Sequence, residues 1–73
     1  MFANATVTTY NTRTGWCNLS PDDLPNQTAQ LWIGAFFSGN PVRLPRVGDR
    51  IRVQLEKTLN NELVAVVGRL IKT

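Results

Sequence analysis

From residue 50 to 56 apolar and polar side chains alternate without a break. Ile51, Val53 and Leu55 take one face, and Arg50, Arg52, Gln54 and Glu56 take the other. Side chains alternate across a strand, so this run predicts a strand with one face in a core. Residues 14–20 carry the same period: Cys17 and Leu19 share one face, Trp16 and Asn18 the other. Residues 30–37 repeat it, with Leu31 and Ile33 opposed to Trp32 and Gly34. Residues 3–11 hold Val7, Tyr10 and several threonines, types favoured in strands, although the pattern leaves open which way Tyr10 faces. Residues 62–72 predict a last strand with Leu63, Ala65 and Val67 facing the core. Val64 and Val66 then form an apolar stripe on the other side, and Gly68 marks a candidate bulge where the phase changes.

The segments between these runs read as turns. Asn11 to Gly15 is a tight connection in which Asn and Gly accept positive φ. Ser20-Pro21-Asp22-Asp23 opens a polar loop that continues through Pro25 to Thr28, and its two prolines argue against a helix or a central strand. Asp22 and Asp23 read as a turn-capping pair, because no third ligand or base lies near them in sequence. Ser38-Gly39-Asn40-Pro41 is a further turn, followed by a short basic linker in which Val42 and Leu44 are candidate apolar anchors. Asn60-Asn61 fits the turn of a hairpin between the last two strands. Five short strands, polar turns and no sustained helical period predict one all-β domain over residues 1–73. The expected fold is a small five-stranded antiparallel barrel, for which the oligonucleotide-binding and SH3-like barrels both qualify.

Pairing of the second and third strands brings Trp16 and Trp32 onto the surface opposite the aliphatic core. Two large exposed rings side by side add nothing to a core, which points to a contact surface. Charge leans the same way. The chain carries a formal +3 with a pI near 9.8, and arginines outnumber lysines six to two. The planar guanidinium suits phosphate contact and stacking on bases. Arg13 and Arg43 lie in loops that would border such a surface, with Arg46 a further candidate.

Composition narrows the chemistry. There is no histidine, which removes the commonest general base and transition-metal ligand. Cys17 is the single cysteine, so no internal disulfide forms, and the alternation around it predicts a small apolar group packed in the core. No nucleophile–base pair, metal-ligand spacing or phosphate-cradling glycine loop is present, so the expectation is a non-enzymatic protein without metal or cofactor. No apolar run approaches the roughly 20 residues that span a bilayer. The opening Met1-Phe2-Ala3-Asn4 lacks the basic start and apolar segment of a signal peptide, which makes a cytoplasmic location the expectation.

The order of short motifs discriminates between barrels. Ala5-Thr6-Val7, Tyr10-Asn11, Gly15-Trp16-Cys17-Asn18-Leu19, Pro21-Asp22-Asp23, Leu31-Trp32-Ile33-Gly34, Gly48-Asp49-Arg50-Ile51 and Ala65-Val66-Val67 run through nearly the whole chain in the order of the cold-shock domain, which the sequence resembles. Gly15 to Leu19 is similar to that family's first ribonucleoprotein motif, and Leu31 to Gly34 to its second. The resemblance implies an oligonucleotide-binding barrel that stacks single-stranded RNA or DNA on aromatics of its second and third strands. Trp16 and Trp32 keep the aromatic character at matched positions. Thr9 stands where a tryptophan is usual, Thr14 where a lysine is, and Asn18 where a second aromatic is. Gly34 replaces a histidine, Ala35 an aromatic, and Pro41 a loop aromatic. The candidate nucleic-acid contacts are Tyr10, Arg13, Trp16, Asn18, Trp32, Phe36 and Arg43. The losses keep a second reading open, in which the barrel is a protein-interaction or dimerisation module and the Val64–Val66 stripe is its surface.

Overall fold

The computed structural model describes residues 1–71. It contains six strands: β1 (Phe2–Asn11), β2 (Trp16–Pro21), β3 (Ala29–Trp32), β4 (Phe36–Phe37), β5 (Arg50–Lys57) and β6 (Leu63–Leu70), with a 3₁₀ turn at Ile33–Ala35. The strands form one sheet in the order β3-β2-β1-β5-β6-β4. A parallel pairing of β3 with β6 closes the five long strands into a barrel of the oligonucleotide-binding type, and every other contact among those five is antiparallel. Closure removes the exposed edges that a small open sheet would leave for aggregation. The described residues include no helix long and apolar enough to cross a membrane.

The barrel interior is filled by the inward halves of the alternating runs: Ala3, Ala5 and Val7 from β1, Cys17 and Leu19 from β2, and Ala29 and Leu31 from β3. Ile51, Val53 and Leu55 of β5 and Leu63 and Ala65 of β6 complete it. Cys17 is fully buried, as its phase predicts, and burial pushes its thiol pKa up, with the Asp49 charge adding to the effect. The turn residues behave as their chemistry requires. Gly15 has φ +80°, and the Asn11 side-chain oxygen accepts hydrogen bonds from the amides of Arg13 and Thr14. Asn61 takes φ +64° in the β5–β6 hairpin.

Four expectations change. The expected third strand over residues 30–37 breaks at Ile33, where the chain turns through one 3₁₀ step before β4 pairs with β6. The Ile33 amide bonds back to the Gly15 carbonyl, and Ile33 packs on the core, so the turn tucks one more aliphatic group under the barrel's end. In β6 the phase changes at Val66, not at Gly68. Val67 pairs with Gln54 on the outer face and Leu55 pairs with Ala65, which leaves Val66 as the extra residue of a bulge. Gly68 then faces inward, where a β-carbon would lie 3.0 Å from Cδ2 of Leu31. In the linker, Val42 and Leu44 are exposed and anchor nothing. Pro45 and Ser38 are the buried residues, and the Ser38 hydroxyl donates to the Pro41 carbonyl and accepts from the Arg43 amide. Finally, Asp22 is no turn cap. Its carboxylate receives two guanidinium hydrogen bonds from Arg50 at 2.8 and 2.6 Å, which ties the end of β2 to β5. That arginine holds the Asp22 pKa below the usual carboxylate range.

Candidate nucleic-acid interface

Registration of β2 against β3 sets Trp16 directly opposite Trp32, and both project from the outer face of the barrel. Their exposures are 42% and 52%, values that mark them as neither core nor fully solvated. Directly opposed side chains on one sheet face stand about 4.5–5.5 Å apart at Cβ, so the two indoles share one surface. On the other side of Trp16 stands Asn11 of β1. The next rung outward reads Thr9, Asn18 and Gln30 across β1, β2 and β3. A bulge at Thr8 sets this phase. It inserts one residue between the Val7–Leu19 and Thr9–Asn18 pairs, so Thr9 and Asn11 stay outside while Tyr10 turns inward opposite Cys17.

Gly34 seats Trp32. A β-carbon at Gly34 would sit 2.6 Å from Cε3 and Cη2 of the indole, and one at Gly15 would sit 3.4 Å from its Nε1. The ring therefore lies over the 3₁₀ turn, with its benzo edge on Gly34 and its pyrrole edge toward Gly15. No larger residue at position 34 leaves room for it. Side chains that touch backbone in this way lose rotational freedom before a ligand arrives, which lowers the ordering cost of binding.

An open groove runs beside Trp16, which lines it together with Thr9, Tyr10, Asn11, Thr12, Thr14, Asn18 and Gln30. None of these side chains is charged. Asn11, Asn18 and Gln30 carry amide groups that donate and accept, the chemistry that pairs with base edges. Arg13 is exposed in the turn above the groove, between lining residues Thr12 and Thr14.

Of the seven candidate contacts, Trp16, Trp32 and Asn18 stand together on this surface, with Arg13 at its edge. Tyr10 reaches the groove wall from the inner face and is half-buried against the core. The other two lie elsewhere. Phe36 pairs with Gly68 and packs against the core, beside a different groove. Arg43 is occupied. Its guanidinium grips the Asp49 carboxylate through two hydrogen bonds of 2.9 Å, and the Arg46 amide donates to the same carboxylate. This arrangement holds the Asp49 pKa down and raises that of Arg43. It pins the linker to the start of β5 and commits Arg43 to Asp49, away from the indole groove. Sequence reasoning missed Thr9, Asn11, Thr12, Thr14 and Gln30 as groove residues. Only the cross-strand register identifies them, although the outward phase of Gln30 beside Trp32 was a readable signal. Comparison with protein-family models gives no match for this chain, and comparison with curated proteins gives none either.

Proposed function

We propose that this chain binds single-stranded nucleic acid, RNA or DNA, by stacking bases on Trp16 and Trp32, and that it performs no chemistry on the strand. The observation that carries the reading is the pairing of two half-exposed indoles on one rung, with Trp16 lining a groove whose other side chains are all uncharged. The likeness of the two strand motifs to ribonucleoprotein motifs of the cold-shock domain supports the same ligand class. Stacking one base is worth about 1–3 kcal/mol, so two platforms supply about 2–6 kcal/mol, against about 4 kcal/mol for a millimolar Kd. The site is therefore weak and tolerant of sequence. The amides of Asn18 and Gln30 add preference among bases without setting a strict order.

Titration of the intrinsic fluorescence with oligothymidine and oligouridine at low salt tests this directly. Binding quenches the emission in a saturable way, and Trp16→Ala weakens it at least fivefold. An emission spectrum unchanged up to about 30 mM of a short oligonucleotide, the Kd that about 2 kcal/mol gives, rejects the reading, as does equal binding by Trp16→Ala.

A further inference from the structure

The part of the barrel away from the indoles carries a second surface with different chemistry. Arg52 of β5 and Arg69 of β6 are register partners, so two guanidinium side chains stand side by side on the outer face. Like charges directly opposed across strands destabilise a sheet unless something compensates them. Nothing in the register does. The neighbours are Asn4, Gln54, Val67 and Phe37, and no acidic residue stands opposite either arginine. The two carboxylates in ion pairs, Asp22 and Asp49, are committed to Arg50 and Arg43. Arg52 is steadied by Asn4, which accepts its hydrogen bond at 3.1 Å, and by the Phe2 ring 5.9 Å below. Among the described residues the Arg69 guanidinium has neither ion pair nor hydrogen bond.

Arg69 also stands at the lip of a groove whose other walls are Phe36, Phe37, Ser38, Gly39, Val42 and Leu70. Phe37 is 55% exposed and Val42 is 90% exposed, so the groove is apolar and open to solvent. Its one hydroxyl, on Ser38, is already engaged on both sides. We infer that this groove and the Arg52–Arg69 pair form a docking site for an acidic peptide, with a bulky apolar side chain in the groove and neighbouring carboxylates on the two guanidinium groups. Charge complementarity selects that occupant. A second copy of this chain would bring +3 against +3 and, in a two-fold contact, set the arginine pair against itself. A base in the groove would set its polar edges against Phe36, Phe37, Val42 and Leu70, with the Arg69 guanidinium at the lip as the one unengaged side-chain donor among the described lining residues, which is costly. An aliphatic or aromatic side chain has no such edges, and a carboxylate accepts a forked pair from arginine. The inference does not depend on nucleic-acid binding, because none of its residues lines the indole groove.

The test uses a short fluorescein-labelled peptide in which aspartates flank one phenylalanine and one leucine, followed by anisotropy and by backbone amide shifts. The peptide binds, weakens as salt rises, and shifts the amides of Phe37, Gly39, Val42 and Arg69. Arg69→Glu lowers affinity by about tenfold, the scale of one charge-assisted contact at a solvated site. Val42→Asp, at an exposed position that the core does not use, does the same, whereas Trp16→Ala changes nothing. Replacing the peptide's phenylalanine and leucine by alanine abolishes binding. Absence of binding, binding unaffected by Arg69→Glu and Val42→Asp, shifts at these amides on protein dilution alone, or displacement of the peptide by oligothymidine at the same amides each overturns the inference.

Discussion

Replacing Gly34 with alanine displaces the Trp32 ring while leaving every aromatic group in the chain. The added β-carbon falls 2.6 Å from Cε3 and Cη2 of the indole, well inside contact distance, so one of the two groups yields. The backbone does not resist the change, because Gly34 lies outside the positive-φ set of Gly15, Gly39 and Gly48. The ring is 52% exposed, with solvent on its outer side, so the added methyl drives it outward and the turn stays. Folding stability changes by less than about 1 kcal/mol, because the entropy gained by removing a glycine, about 0.4–1 kcal/mol, offsets the lost ring contacts. Binding changes far more. Losing one stacking platform costs about 1–3 kcal/mol, or about 5- to 150-fold in Kd. Anisotropy with labelled oligothymidine reads the affinity, a thermal melt reads the stability, and near-UV circular dichroism reads the ring. The expected result is a melting temperature within about 5 °C of the parent and an affinity close to that of Trp32→Ala. A changed near-UV spectrum with undiminished affinity refutes the role given to the seated ring. A large loss of stability refutes it too, since Trp32 would then belong to the core.

Three further outcomes follow from other parts of the molecule. The groove residues are uncharged and Arg13 is the cation beside them, so the slope of log K against log salt is about −0.7 per phosphate neutralised, or about one such unit, and Arg13→Ala flattens it toward zero. Asp22 and Asp49 have folded-state pKa values below their unfolded ones, so their contribution is fully present above the ordinary carboxylate range and is lost as pH falls through the folded values. Melting temperature is therefore flat from neutral pH to about 5 and drops below about 4, and Asp49→Asn reduces the drop in calorimetry. Gly68→Ala presses a methyl group onto Leu31 in the closed barrel and costs about 1–3 kcal/mol, seen as a fall in melting temperature without a change in oligonucleotide affinity.

The barrel was legible in the sequence because its core is written in an uninterrupted two-residue period. Ile51, Val53 and Leu55 could face only one way, and Cys17 and Leu19 matched them. Where the period fails, so did the reading. Local pattern assigns Val67 to the core and leaves Tyr10 open, because both sit beside bulges, and a bulge is set by pairing with a distant strand, which that pattern does not encode. The same limit applies to the site. The outward phases of Trp16 and Trp32 were readable, but their direct opposition depends on register. Gly34, which stands where the pattern that the sequence resembles has a histidine, becomes intelligible only when the Trp32 ring is found lying on it. Arg43 illustrates the converse limit. A loop arginine looks available until the fold brings a carboxylate within 2.9 Å of it.

The claim that bases are received by two neighbouring indoles is tested most directly by the two tryptophan Nε1–H resonances in a nitrogen–proton correlation spectrum. The account predicts that both move together along one saturable curve as oligothymidine is added, and that Gly34→Ala alters the starting position of the Trp32 resonance and weakens the response. Binding by the protein with both indole resonances stationary would contradict it.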